Sequence, residues 1–337
     1  MLNSSRLHLM TTQGNFLILC LPVQLLIIMH LYLGVTDNNW YRFLRKQQPD
    51  EINFWQPGGR TRFRVLEQGA PFLFKLKAPY HAIGGVGWFA YNTLLPLSEA
   101  WRHFEVKNGM GSFAELQRTI TGYRNDQQQN PEIGCILLTD PVFFAEDDWI
   151  EVPASFSKNI VQGKSYSMEE RDGQWLWQQI QDRLQKYQWL QRAVDPKSQL
   201  VAEPEAAYRE VVSRVRMGQG TFRTMLTDVY QRRCAITGEK TLPALEAAHI
   251  KPYAQSGPHR TSNGLLLRSD LHNLFDAGYM TVTTAYEVEV SGRIREEFNN
   301  GKVYYALQGK QLILPEQLQD RPDDQYLTWH QEEVYRG

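Results

Sequence analysis

The sequence predicts an α+β fold in two domains. Its 337 residues exceed one average domain. From Leu31 to about Glu151, apolar strand-like runs outnumber the helix patterns, which favours a small β-barrel with helices over a doubly wound sheet. The last third instead shows helices followed by a strand, a polar loop and a short helix. A barrel-like first domain and a mixed second domain are therefore expected.

The strand and helix signals of the first domain are local. Residues 71–77 (PFLFKLK) and 82–89 (AIGGVGWF) read as apolar strands, and residues 135–138 (CILL) predict another. Ser98 is a good N-cap residue and predicts the start of a helix. Ser112-Phe-Ala-Glu is a capping box and predicts a second helix that ends near Tyr123.

The domain boundaries follow from composition. Residues 191–205 contain two prolines and little apolar periodicity, so we expect the linker there. The first domain then spans residues 29–190 and the second spans residues 206–337. Helices are expected at 206–216 and 221–232 in the second domain.

Residues 1–28 contain an apolar run that is too short for an ordinary membrane span, which needs roughly 20 residues. Pro22 and Gln24 interrupt the run, only Arg6 is basic before it, and no clear small-residue cleavage site follows. We interpret residues 1–28 as an extension or a mis-assigned start. A targeting segment is the alternative.

Charge and cysteine content exclude some classes of protein. The apolar fraction of 42% and the charged fraction of 22% are those of a globular protein and exclude a largely disordered chain. The net charge of −1 gives no global signal for nucleic acid, but arginines are concentrated between Arg209 and Arg233. The three cysteines are widely separated and form no CxxC pair, which indicates a reducing compartment and excludes a four-cysteine zinc site.

Three polar residues near the C-terminus follow one another in the order His, Asn, His on a strand, a loop and a helix. His249 ends an apolar strand-like run, Asn263 follows in a polar loop, and His272 follows on a short helix. Phosphodiester hydrolysis needs an activated water and a cation at the developing charge. A neutral histidine can take a proton from water, and a hard divalent ion accepts carboxylate or imidazole ligands.

The segments AAHIKP, NGLLL and HNLFD resemble the restriction-type branch of the HNH endonuclease superfamily, and the resemblance covers about Gln219 to Trp329. It implies a ββα-metal fold that cuts DNA. It further implies that His249 is the general base, that Asn263 holds the loop, and that His272 binds the metal. The ion would be Mg²⁺, with Mn²⁺ or Ni²⁺ also suited to these ligands.

Two positions depart from this family pattern. Many relatives carry a metal-binding Asp or His where this chain has Ala248. Strand alternation makes Glu246 one candidate ligand, and helix spacing from His272 makes Asp276 another, with Asp270 ranked lower. Asp276 as a cap of the following turn is the alternative. Cys234 stands without the CxxC partner of some relatives, so no structural zinc is expected and Cys234 is interpreted as a buried side chain.

Segments of the first domain, including NFWQPGG, SEAWRHFEVKNG and NIVQGKSY, resemble the EVE branch of the PUA-like superfamily over about Leu31 to Tyr166. The resemblance implies a reader of modified bases. A flipped base needs aromatic walls and a few polar groups. The candidates for this pocket are Trp55 and Trp88, with Asn53, Phe54, Gln56 and Trp40. Core packing is the alternative for each aromatic side chain. Lys164, Arg223 and Lys251 are candidates for contacts to the DNA backbone.

Together the two resemblances imply a modification-dependent endonuclease of the bacterial cytoplasm. Its partner would be double-stranded DNA carrying 5-methyl- or 5-hydroxymethylcytosine, with no membrane partner. One HNH site cuts one strand, so a homodimer is expected. Two alternatives stay open: a nuclease directed to an unmodified sequence or structure, and a modified-DNA binder with an inactive nuclease domain. His259 and His330 are interpreted as ordinary surface or core residues.

Overall fold

The computed structural model describes residues 30–58, 63–126, 128–194 and 218–337, with side chains of the fourth helix described through residue 187. The expected α+β fold is confirmed. The predicted extension at 1–28, the predicted linker beyond residue 194 and the predicted helix at 206–216 lie outside the described residues.

The first domain is built on one mixed sheet. Its strands are β1 (His30–Thr36), β2 (Glu51–Gln56), β3 (Pro71–Leu76), β4 (Ala82–Pro96), β5 (Glu132–Phe143), β6 (Ile150–Glu151) and β7 (Gly163–Ser167). They are paired in the order β2-β5-β4-β3-β1-β7, with β6 on β4, and only the β1–β3 pair is parallel. Among the described strands β2 and β7 end this path without pairing to each other, so the sheet is open where a closed barrel was expected.

Four helices accompany the sheet: α1 (Asn38–Gln47), α2 (Leu97–Phe104), α3 (Phe113–Tyr123) and α4 (Arg171–Val194). Helix α1 buries Trp40, Tyr41 and Leu44 in the same core as the aromatic side chains of β2 and β3. Helix α1 thus covers one apolar face of the sheet, so this face is buried without closure of the sheet into a barrel.

The first residues of α2 and α3 test the two helix starts predicted from the sequence, the N-cap at Ser98 and the capping box at Ser112. The Ser112 hydroxyl accepts a hydrogen bond from the Glu115 N–H at 3.2 Å, which confirms the capping box. The prediction of Ser98 as an N-cap is wrong, because α2 begins at Leu97 and the Ser98 N–H donates to the Asn130 side chain at 2.8 Å. A side chain that is distant in sequence therefore caps this helix, and local sequence could not reveal it.

The second domain places a hairpin between helices. Its elements are α5 (Gln219–Val229), β8 (Leu245–His249), β9 (Gly264–Arg268), α6 (Ser269–Asp276), β10 (Met280–Val282), β11 (Val288–Val290), α7 (Arg293–Phe298), α8 (Lys302–Tyr305) and α9 (Asp324–Glu333). Strands β8 and β9 are antiparallel, with His249 opposite Gly264, and α6 follows β9 directly. The predicted strand, loop and helix are all present.

Buried polar contacts join the two domains. The Glu51 side chain, 1% exposed, accepts hydrogen bonds from the Gly220 N–H at 2.9 Å and the Thr221 N–H at 3.0 Å. It also accepts from the Thr221 hydroxyl at 2.7 Å and lies 3.0 Å from the Lys107 ammonium. A carboxylate of β2 thereby satisfies backbone donors at the start of α5, where the helix dipole favours negative charge.

Within the described part of the chain, no helix has both the length and the apolar character needed to cross a membrane.

Candidate active site

A fully buried asparagine closes the loop between β8 and β9. The Asn263 carboxamide oxygen accepts from the Lys251 N–H at 2.9 Å. Its amide group donates to the Lys251 carbonyl at 2.9 Å and to the Pro258 carbonyl at 2.9 Å. All three contacts are backbone contacts, so Asn263 fixes the course of the loop, as expected of an asparagine that holds loop and strand together.

The closed loop brings a second histidine to His249. His249 Nε2 lies 2.9 Å from His259 Nδ1, within hydrogen-bond distance. The His249 ring stacks on Phe222 of α5 with centroids 4.0 Å apart, and the His259 ring stacks on Tyr253 at 4.6 Å. These contacts fix the plane of the His249 ring. Because Nε2 faces His259, Nδ1 is the ring nitrogen that remains for other chemistry.

A glycine permits this approach of α5 to the hairpin. A Cβ atom at Gly264 would lie 2.6 Å from Leu226 Cδ1 and 2.7 Å from Phe222 Cζ, which is closer than carbon atoms can pack. Gly264 is the hairpin partner of His249. Only glycine at this position lets Phe222 reach the His249 ring without displacement of α5.

The surroundings of His249 keep it neutral. Burial lowers its pKa to about 4, and the charges of His259 and His272 when protonated act in the same direction. Burial also lowers the pKa of His259. Since both pKa values lie below the usual value, His249 is unprotonated near pH 7 and retains a lone pair that can accept a proton.

His272 lies between two carboxylates. Its Nδ1 is 2.8 Å from Glu246 Oε2, and its Nε2 is 3.2 Å from Asp276 Oδ2. Burial lowers the pKa of His272, but the hydrogen bonds to Asp276 and Glu246 outweigh burial, so the net pKa is raised. The His272 hydrogen bond lowers the pKa of Glu246, whose other oxygen accepts from Ser269.

The donor chemistry at His272 fits a divalent cation. Imidazole and carboxylate are ordinary ligands of such ions. Among the described residues no three His, Cys, Asp or Glu side chains already surround a common point, because the two carboxylates face opposite ring nitrogens. The Asp276 side chain is 60% exposed, so a rotation would free Nε2 and place both groups on one ion. Glu246 would then keep its hydrogen bond to Nδ1, a common arrangement around metal-binding histidines.

The candidate base and two of the candidate ligands open into one cavity of about 400 Å³, whose lining includes His249, His272, Asp276 and Tyr253. A nucleophilic water, its base and the ion could therefore meet in one space. Asp270, the lower-ranked candidate, is paired with Arg268 instead.

The six predicted pocket residues of the first domain do not form one group. Trp40 and Trp88 are 2% and 3% exposed, and the buried Asn53 donates to the Asn108 side chain at 2.9 Å. Trp88 packs near Trp177 of α4. The half-buried members follow one another on β2; they are Phe54, Trp55 and Gln56.

Of the predicted contacts to the DNA backbone, Arg223 lies on α5 and lines a cavity that also reaches His272. The Lys251 ammonium lies 5.4 Å from the centre of the Trp329 ring. Lys164 belongs to the first domain, where it donates to the Ser155 carbonyl at 3.0 Å. In the arginine-rich stretch, Arg232 donates to the Leu94 carbonyl and so contributes to the domain interface.

Sequence reasoning missed several residues of the site. His259 was interpreted as ordinary, although its position four residues before Asn263 places it in the loop that Asn263 closes. Phe222 reaches His249 because α5 packs on the hairpin within the second domain, whereas Arg102 reaches the site only through docking of the first domain. His330 is buried, with its two nitrogens near Thr281 and the Phe275 carbonyl, as expected of a core histidine.

Comparison with known proteins identifies one family model. Residues 234–283 match the model described as HNH endonuclease, which confirms the HNH domain expected at the C-terminus. No curated protein matches the sequence significantly.

Solved structures show distant similarity. A structure described as a modification-dependent TagI restriction endonuclease has a TM-score of 0.26 and 14% identity, with 85% of this chain and 75% of that chain covered. An ASCH protein from Zymomonas mobilis has a TM-score of 0.31 and 8% identity, with 41% of this chain and 89% of that chain covered. The family model is thus the comparison that bears on the chemistry of the site.

Proposed function

We propose that this chain, which carries the domain of a metal-dependent HNH endonuclease, cuts DNA in response to a modified cytosine. The observation that carries the nuclease part of this proposal is the cavity lined by His249, His272 and Asp276, in which the base is kept neutral by burial. The half-buried side chains on β2 and the EVE-like motifs support the reader half.

In the proposed reaction His249 removes a proton from the attacking water. Its Nε2–H would donate to His259 Nδ1, which leaves the lone pair of His249 Nδ1 free to accept that proton. The stacked Phe222 ring holds the imidazole in place during the transfer. Asn263 acts only on the loop, since its side-chain contacts are to the backbone of that loop.

His272 and Asp276 would hold the divalent ion, with Glu246 fixing the His272 ring through Nδ1. A bound Mg²⁺ or Mn²⁺ stabilises the charge that develops on the phosphate oxygens. The phosphodiester would be cut at one strand per site, so double-strand cleavage calls for two protomers, which we expect to act as a homodimer in the bacterial cytoplasm.

The reader half depends on β2. Trp55 is half-buried, and its indole N–H donates to the Asn108 carbonyl at 3.0 Å, which fixes the ring plane. Tyr123, 52% exposed, lies 6.1 Å away between ring centres. An aromatic pair that is partly open to solvent offers a surface on which an extruded base can stack.

Cleavage of matched duplexes tests the proposal. Plain, 5-methylcytosine and 5-hydroxymethylcytosine DNA are incubated with Mn²⁺ or Mg²⁺, and strand cleavage is followed on denaturing gels. We expect cutting of modified DNA, loss of cutting in His249→Ala, and unchanged cutting in His81→Asn, an exposed histidine at a φ of 45° that asparagine tolerates.

The same panel separates the alternatives. Equal cutting of all three duplexes would retain the nuclease and refute the reader. Tight binding of modified DNA without cutting under either ion would identify a binding protein. Trp55→Ala should reduce the preference for modified DNA, whereas Trp175→Ala, on the exposed face of α4, should leave the preference unchanged.

A further inference from the structure

A second cavity connects the candidate active site to the first domain. Its volume is about 430 Å³, and it shares Gln219, Ala247 and His272 with the cavity that contains His249. On the opposite side it is lined by residues of α2 and the turn that follows, including Arg102 and Lys107. The space around the candidate metal ligands therefore extends to a wall that the first domain supplies.

Two arginines from different domains meet at this cavity. Arg102 of α2 donates through Nη2 to the Leu245 carbonyl at 2.8 Å and through Nη1 to the Leu242 carbonyl at 2.6 Å. Arg223 of α5 donates through Nη2 to the same Leu245 carbonyl at 3.4 Å. Because both guanidinium groups contact one oxygen, their positive charges lie side by side.

The two charges are incompletely balanced. Arg102 Nη1 lies 3.3 Å from Glu99, whereas no carboxylate of the described residues lies within 4.0 Å of the Arg223 guanidinium. Burial lowers the pKa of Arg223 and the charge of Arg102 lowers it further, while the charges of Glu99 and Glu246 act in the opposite direction without reversing the decrease. Two neighbouring guanidinium groups that are partly withdrawn from water favour a bound anion, because an anion relieves their repulsion and replaces lost solvation.

The remaining N–H groups point to the class of that anion. A guanidinium carries five N–H donors. Within the described residues, the Arg102 guanidinium makes three hydrogen bonds and the Arg223 guanidinium makes one. The nearby His103 stays neutral, since burial and the charges of both arginines lower its pKa to about 3. The remaining N–H donors therefore belong to planar guanidinium groups, and their geometry matches the paired oxygens of a phosphate.

We propose that Arg102 and Arg223 jointly bind a DNA phosphate next to the one that is cut. This inference rests on the proposed function for the identity of the substrate as DNA. The first domain then supplies a phosphate contact to the nuclease centre in addition to reading a base. Arg102 is a binding residue in this account, and the nuclease site is complete only when the two domains are docked.

The salt dependence of DNA binding tests this account. The logarithm of the binding constant falls with the logarithm of the salt concentration, by a slope of about 0.9 for each phosphate contacted. Affinity for plain and modified duplexes is measured by fluorescence anisotropy from 50 to 300 mM KCl without divalent metal, and single-turnover cleavage is measured with Mn²⁺. The full-length variants are Arg102→Gln, Arg102→Lys and Arg223→Gln, and the control is Arg118→Gln on the exposed face of α3.

Arg102→Gln retains an amide donor for the Leu245 carbonyl but loses the charge. It should lower the slope by up to about 0.9 and slow cleavage at least tenfold, whereas Arg102→Lys and Arg118→Gln should keep the wild-type slope. Arg223→Gln, on the other domain, should also lower the slope, by up to about 0.9, because the two arginines share one phosphate. Slopes that remain at the wild-type value in both Gln variants would overturn the proposal, even if cleavage slowed through weakened docking. The lower slopes should appear on plain and modified DNA alike. A protein that does not distinguish the two kinds of DNA would therefore refute the proposed reader without affecting this test of the phosphate contact.

Discussion

The contact between His249 and His259 predicts a shift in the pH dependence of cleavage. In the wild-type protein the pKa of His249 is about 4, lowered first by burial and then by His259. Only the neutral imidazole can act as the base, so activity is lost as the pH falls through this pKa. Replacing His259 by Ala removes the charge of His259 and reduces the burial of His249. The pKa of His249 should therefore rise toward the usual value of about 6.5.

The size of the effect follows from the fraction of neutral His249. At pH 5.5 that fraction is about 97% for a pKa near 4 and about 9% for a pKa near 6.5. Since burial is the largest cause and is only partly lost, we expect His259→Ala to cut between about twofold and tenfold more slowly at pH 5.5, relative to its own rate at pH 7.5. A fall in rate common to all pH values should accompany this change, because the tautomer of His249 is no longer fixed.

Single-turnover cleavage with saturating Mn²⁺ from pH 4.5 to 8 measures this shift. Tyr253→Phe is the control, since it keeps the ring that stacks on His259. His259→Asn retains a polar side chain but does not titrate. An acid limb at the same pH in wild type and His259→Ala would refute the argument from burial and charge, whatever the change in absolute rate.

Three further predictions concern the scaffold. Glu51→Gln should destabilise the protein by about 2–4 kcal/mol in urea unfolding, because a buried carboxylate that accepts from α5 loses its charge; a change below about 1 kcal/mol would contradict this. Asn263→Ala should reduce cleavage at least about 100-fold in a protein with wild-type circular dichroism, since three backbone contacts of the loop are lost, and a wild-type rate would refute that role. Burial lowers the pKa of His330 in the folded protein to about 4, against about 6.5 in the unfolded chain. The neutral side chain therefore contributes its full stability above pH 6.5, and this contribution is lost as the pH falls toward 4. In His330→Gln the unfolding midpoint should fall less steeply over that pH range than in the wild-type protein.

Local patterns predicted the elements that carry the chemistry. The strand that ends at His249, the buried loop asparagine and the helix of His272 were all visible, because each depends on periodicity and spacing within a few residues. The capping box at Ser112 was visible for the same reason. Glu246 and Asp276 were placed near His272 by strand and helix periodicity, and the structure brings both to its ring.

Long-range contacts explain what the sequence did not reveal. Neither the capping of α2 by Asn130 nor the burial of Trp88 against α4 can be read from the neighbours of those residues. His259 came closest to being predictable, because a loop closed by Asn263 must bring the residue after Pro258 toward the end of β8. Arg102 required knowledge of how two domains dock, which no periodicity contains.

One strand connects the two halves of the proposed function. Glu51 and Trp55 both lie on β2, about 13 Å apart at the usual rise of a strand. Glu51 holds the first turn of α5, and α5 carries Phe222 against His249 and Arg223 beside the second cavity. Because the carboxylate is buried and has several donors, a shift of β2 relative to α5 would break charged hydrogen bonds out of reach of water. The geometry therefore favours a fixed placement of the nuclease centre relative to the reader strand over a hinge between them.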